Sequence, residues 1–88
     1  MWIKATLSNI IKETDLTWKF VIKPESKFAF KPGQFVQIKI NDLVRSYSIA
    51  SYNSAIESFE LLIVKLDGGK MTEHLFENAK AGDELEIK

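Results

Sequence analysis

The 88-residue sequence contains no cysteine. That absence excludes a disulfide framework, a cysteine-ligated zinc and an iron–sulfur centre held within this chain. An excess of charge is missing too, since twelve Lys and Arg balance twelve Asp and Glu. A domain that lives on nucleic acid normally carries a basic surplus, so that class is disfavoured. No apolar run approaches the roughly 20 residues that a membrane-spanning helix needs. The opening MWIKATLSNIIKETD is interrupted by polar residues throughout, unlike a secretory leader. Arginine and histidine occur once each, and no second ligand stands near His74, so no metal site is expected. A soluble domain in a reducing cytoplasm is the expected class.

What is present suffices for one small core. Hydrophobic residues make up 45% and aromatics 11% of the chain, and its length leaves room for one domain over residues 1–88. LTWKFVIK, residues 16–23, alternates with Leu16, Trp18, Phe20 and Ile22 on one face, the pattern of a half-buried strand. Residues 13–15, ETD, form a turn before it, which makes residues 2–12 the other arm of a hairpin. A loop with Pro24, Pro32 and Gly33 follows. QFVQIKI, residues 34–40, is a strand with Val36, Ile38 and Ile40 inward. Asn41-Asp42 turns the chain into LVRSYSIA, residues 43–50. Residues 51–58 read as a polar loop. FELLIVKL, residues 59–66, is apolar at both parities, so both of its faces are expected to be covered. After Asp67-Gly68-Gly69, the segment 71–79 is the one convincing helix, and Gly82-Asp83 leads into a last strand. The expected fold is all-β, a six-stranded antiparallel Greek-key barrel closed on itself, with one short α-helix before the last strand.

The lone arginine stands in RSYSIAS, residues 45–51, between strands rich in Val, Ile, Leu and Phe. Strand parity places Arg45, Tyr47 and Ile49 on one side and Val44, Ser46, Ser48 and Ala50 on the other. A guanidinium is a planar fork suited to phosphate, and a phenol offers a flat face with a hydroxyl tip. Small serines leave space beside them. This combination suits a ligand that joins a planar ring to an anion. Further on, GGKMT, residues 68–72, lets backbone approach closely and opens a helix whose first amides attract phosphate. Lys65 and Lys70 add positive charge, while Glu73 opposes it. Asp67, Glu73 and Glu77 make no catalytic pair, and no nucleophile elbow occurs.

PGQFV, the Arg-x-Tyr-Ser strand and GGKMTEHLFENAKAGDELEIK together resemble the flavin-binding barrel of the ferredoxin–NADP reductase-like oxidoreductases, in the family's order and over essentially the whole chain. The resemblance implies FAD as cofactor, with FMN the less favoured choice. It implies that Arg45 pairs with the flavin phosphates, that Tyr47 lies against the isoalloxazine ring and that Ser48 approaches N5, the hydride-accepting atom. Ser46 lies within the same motif. Ile63, Val64 and Lys65 map to backbone at the polar edge of the ring, and Gly69, Lys70, Met71 and Thr72 to the pyrophosphate site. Because parity sets Ser48 opposite Tyr47, a bulge or sharp twist is expected between them.

The resemblance further implies an NAD(P)H-dependent oxidoreductase, in which flavin accepts hydride and passes electrons to a protein or small acceptor. No G-x-G-x-x-G or βαβ pattern occurs. The chain therefore reads as an FAD-binding domain whose NAD(P)-binding partner domain is absent, not competent for turnover by itself. The alternative is a non-enzymatic OB-like barrel that binds oligonucleotide or protein. Zero net charge and a single arginine count against it.

Overall fold

A computed structural model describes residues 2–26, 33–53, 57–65 and 69–88. The strands are β1 (Ile3–Lys12), β2 (Thr17–Pro24), β3 (Phe35–Ile40), β4 (Leu43–Ser48), β5 (Ser51–Asn53), β6 (Ser58–Val64) and β7 (Glu84–Ile87), with helix α1 (Lys70–Glu77) between the last two. All strand pairs are antiparallel, in the order β4-β3-β7-β1-β2-β6-β5. The all-β antiparallel fold with a helix before its last strand is borne out, but with seven strands among the described residues rather than six, and the sheet is curled rather than closed, since no ladder joins its end strands β4 and β5. The two edge strands, β4 and β5, are joined by residues 49–50 alone. The sheet must therefore curl until its edges approach, giving a half-barrel.

The strands form where apolar residues alternate. Val36, Ile38 and Ile40 of β3 point inward, as do Phe59, Leu61 and Ile63 of β6, and Leu85 and Ile87 of β7. In β1 the inward set is Ala5 and Leu7, then Ile10, a change of parity. The cause is a bulge: pairing with β2 slips between Leu7 and Asn9, leaving Ser8 as the extra residue. The Ser8 hydroxyl donates to the Val21 carbonyl at 3.2 Å.

The turns carry their own chemistry. At the β1–β2 turn the Thr14 hydroxyl oxygen accepts from the amide of Thr17 at 2.9 Å, an alternative to the ladder that serine and threonine readily offer. Leu16 lies in this turn and is exposed rather than on the inward face expected for it. Asn41 has φ 55 in the two-residue β3–β4 hairpin, where a left-handed residue matches the twist of the strands. Gly33, with φ 88, also needs the left-handed region. Pro32, Asp67 and Gly68, the other residues of the expected turns, lie outside the described residues.

Three further expectations are corrected. Residues 51–53 are strand, not loop, because they pair with residues 58–60 of β6, and the Ser51 hydroxyl donates to the Glu60 carboxylate. The two faces of β6 are not both covered, since Leu62 and Val64 remain about half exposed. The helix spans residues 70–77 rather than 71–79; the amides of both Asn78 and Ala79 converge on the His74 carbonyl and end it. Its buried residues are Met71, Thr72 and Leu75. Among the described residues, no helix is long and apolar enough to cross a membrane.

Candidate functional site

The β3–β4 ladder pairs Ile40 with Leu43, Ile38 with Arg45 and Val36 with Tyr47. Residues directly opposite in an antiparallel pair share a face. Arg45 and Tyr47 therefore extend the inward face of β3 at the sheet's edge. They meet there no full core, but a cleft of about 360 Å³. Its wall on β4 is Arg45, Ser46 and Tyr47, its wall on β6 is Leu62, Ile63 and Val64, and Gly69, Met71 and Thr72 at the start of α1 complete it. Three segments distant in sequence are thus brought together by the curl of the sheet.

The electrostatics are simple. Arg45 is exposed, and one guanidinium nitrogen donates to the Val44 carbonyl at 2.7 Å. That contact braces the side chain along its own strand. Among the described residues no carboxylate pairs with Arg45, so its charge is available to an incoming anion. The half-buried Tyr47 phenol is held protonated beyond its usual range: burial disfavours the phenolate, and the neighbouring Arg45 charge offsets this only in part.

Because the folded-state pKa is raised, the associated stability is present below pH 10.0 and is lost as pH rises through the folded value. An alkaline titration followed by tyrosinate absorbance in a Tyr52→Phe variant is expected to show its midpoint above 10.0. A midpoint at or below that value would mean that the ring is not enclosed as described.

At the other wall, Gly69 precedes the helix without a side-chain cap, and its φ of -82 is open to any residue. The Thr72 hydroxyl donates back to the Gly69 carbonyl at 3.0 Å, which fixes the first turn. The amides of Lys70 and Met71 belong to the set that no helix can satisfy internally. Here that end of the helix adjoins Arg45 and Tyr47.

Most of the expected site residues converge: Arg45, Ser46, Tyr47, Ile63, Val64, Gly69, Met71 and Thr72 all line the cleft. Three do not. Ser48 pairs with Phe35 at the end of an unbroken ladder, so the expected bulge is absent and its side chain stays on the opposite face from Tyr47. Its contact with N5 rests on the resemblance alone. Lys65 does not line the cleft and its ammonium pairs with Glu77 at 3.6 Å, which leaves its backbone assignment to the resemblance, and Lys70 is exposed outside the cleft lining. Leu62 lines the cleft and had not been singled out. Its trace in the sequence was the surplus of apolar residues at both parities of β6, which marked a second face awaiting cover.

The fold and cleft define a small antiparallel half-barrel that presents a cation, a phenol and a helix start to one cleft. A model of the family described as the oxidoreductase FAD-binding domain matches residues 4–88, and the chain belongs to that family. This sets aside the oligonucleotide-binding alternative. The chain is 37% identical over 85 residues to the glycine betaine monooxygenase reductase subunit of Pseudomonas aeruginosa, a match covering 90% of this chain and 23% of that protein. It is 35% identical over 88 residues to the toluate 1,2-dioxygenase electron transfer component of Pseudomonas putida, covering 96% of this chain and 26% of that one. Among solved structures, the ferredoxin reductase in carbazole 1,9a-dioxygenase superposes with a TM-score of 0.90 at 26% identity, covering 99% of this chain and 27% of that one. The chain spans about a quarter of the length of these relatives.

The donor set fits FAD. A guanidinium with no carboxylate partner among the described residues and a helix start suit the diphosphate. The half-buried phenol and the apolar side chains of Leu62, Ile63 and Val64 suit a flat ring system.

Proposed function

We propose that this chain holds FAD for an NAD(P)H-dependent reductase that feeds electrons to a separate acceptor. The observation that carries this reading is the convergence of Arg45, Tyr47 and the first turn of α1 on one cleft. Arg45 neutralises phosphate at one end. The first turn of α1, opened by Gly69, takes the other phosphate oxygens through backbone amides, which favours FAD over FMN. Tyr47 covers one face of the ring, and its neutral phenol keeps a donor at the ring's edge across the physiological range. Leu62, Ile63 and Val64 exclude water from the apolar side of the cleft. Bound flavin supplies the two-electron chemistry, accepting hydride and releasing electrons singly or in pairs, while the protein supplies placement and local charge.

Family membership supports the remaining parts of the reading. The named relatives are reductase or electron-transfer components of oxygenase systems, which supports an acceptor protein in an oxygenase pathway. An NAD(P)-binding domain would place the hydride donor and would cover the exposed wall formed by Leu62 and Val64. Ser48 is assigned to the approach to N5 on the resemblance alone. A cytoplasmic setting suits a chain without cysteine and a cytoplasmic pool of NAD(P)H.

The test is direct. The purified chain, incubated with FAD and passed through a desalting column, is expected to emerge yellow with quenched flavin fluorescence. A colourless eluate would remove the reading, and salt-sensitive binding of single-stranded nucleic acid in its place would reinstate the alternative.

A further inference from the structure

Helix α1 brings Gly69, Met71 and Thr72 to the cleft, yet it has eight residues. A helix so short does not persist in water without tertiary support, so the position of its first turn depends on what its body is packed against. Buried Met71 and Leu75 supply part of that support. The directional part comes from Phe76. Its ring stacks on Trp18 of β2 with centroids 4.5 Å apart and planes at 26°, and tilts against Phe20 at 5.8 Å. Trp18 also lies 6.5 Å from Phe20, so three rings form one cluster between helix and sheet. Trp18 is the register partner of Ile63, itself a wall residue of the cleft. The cluster thus joins the helix to the strand pair that bears the opposite wall. The Trp18 Nε1–H is buried without an acceptor among the described residues, so stacking, not a hydrogen bond, holds the indole where it is.

We infer that Phe76 and Trp18 are positioning residues, whose stack fixes the first turn of α1 at the cleft and thereby sets affinity for the phosphate-bearing part of the ligand and not for its ring system. The inference rests on the cofactor reading above. Phe76 lies four residues beyond Thr72, about 6 Å along the helix axis. A loosened helix body therefore displaces the first turn with it, and a displacement of about 1 Å suffices to spoil amide–oxygen hydrogen bonds. Tyr47, which covers the ring, stands on β4, outside this cluster of Trp18, Phe20 and Phe76, so its contact to the ring remains.

The experiment compares FAD with riboflavin, which shares the ring system and lacks phosphate, by calorimetric titration of the wild-type chain and three variants. Phe76→Ala is expected to weaken FAD binding about tenfold, or about 1.4 kcal/mol, with riboflavin affinity changed less than about twofold. Phe76→Leu keeps most of the buried volume and loses the stack; a loss of roughly threefold for FAD alone is expected. Trp18→Phe keeps a stacked ring and discards the orphaned N–H, so FAD affinity should stay near wild type. Equal losses for both ligands in folded Phe76→Leu would overturn the inference, because they would report a general packing defect. Unchanged FAD affinity in folded Phe76→Leu would overturn it as well. Wild-type protein that binds neither ligand would instead remove the cofactor reading, and this inference with it.

Discussion

Arg45→Ala is expected to weaken FAD binding by roughly 10- to 100-fold while leaving riboflavin affinity within about twofold of wild type. The magnitude follows from losing hydrogen bonds to a charged group, about 1.5–3 kcal/mol. The guanidinium has no carboxylate competitor among the described residues, and its bond to the Val44 carbonyl at 2.7 Å engages a single donor direction. Little is therefore lost elsewhere when it meets phosphate. Its exposure limits the effect, because salt screens a charge in contact with water. The difference between wild type and variant should accordingly shrink as ionic strength rises. Arg45→Lys restores charge but not the planar fork, so only partial recovery is expected. Identical FAD affinities in Arg45→Ala and wild type would take Arg45 out of the site. Unfolding of the variant is not anticipated, since Arg45 is exposed.

The residues that made this expectation possible were legible in the sequence because they sit in the most regular part of the fold. β3 alternates strictly, and strand parity alone placed Arg45 and Tyr47 together on one side of β4; pairing with Ile38 and Val36 makes that the side of the core. The helix was legible for a similar reason: Met71 and Leu75 repeat at helical spacing, and both are buried. Its link to β4 was not given by local pattern. That link depends on the curl of the whole sheet, and it came from the resemblance.

Elsewhere the local pattern misled for identifiable reasons. β5 carries Ser51, Tyr52 and Asn53, which have no apolar alternation to announce a strand. It exists because the edge of β6 offers it partners, a case of context overriding propensity. The bulge at Ser8 converts inward Leu7 into inward Ile10, a parity change visible in Ile3, Ala5, Leu7 and Ile10 only once the pairing with β2 is known. At Ser48, by contrast, local parity held: it set Ser48 opposite Tyr47, the unbroken ladder agrees, and the bulge expected there came from the resemblance. Lys65 was counted for its positive charge beside the site. Its chain neighbours gave no hint of Glu77, which reaches it from α1.

β6 carries the contrast between fold and function most plainly, and it supports the second large expected effect. Phe59→Ala should destabilise the chain by about 3–5 kcal/mol, because it removes a fully buried aromatic ring and leaves a cavity. An 88-residue domain has roughly 4–13 kcal/mol in total, so this variant lies close to unfolding in the absence of ligand. FAD at about one hundred times its Kd should restore about 2.7 kcal/mol, seen as a shift of the urea midpoint to higher concentration. Leu62→Ala, three residues along the same strand, should cost less than about 1 kcal/mol, since half of that side chain already meets water. Its effect should fall on flavin affinity instead, because Leu62 lines the cleft. Comparable destabilisation by the two substitutions would place Leu62 in the core and deprive the cleft of its apolar wall. A Phe59→Ala midpoint that does not move with FAD would show that the folded form has no preferential affinity for the cofactor. Phe59, Leu61 and Ile63 of this strand are buried in the core, while Leu62 and Val64 stand half exposed at the cleft, which is why its run is apolar at both parities.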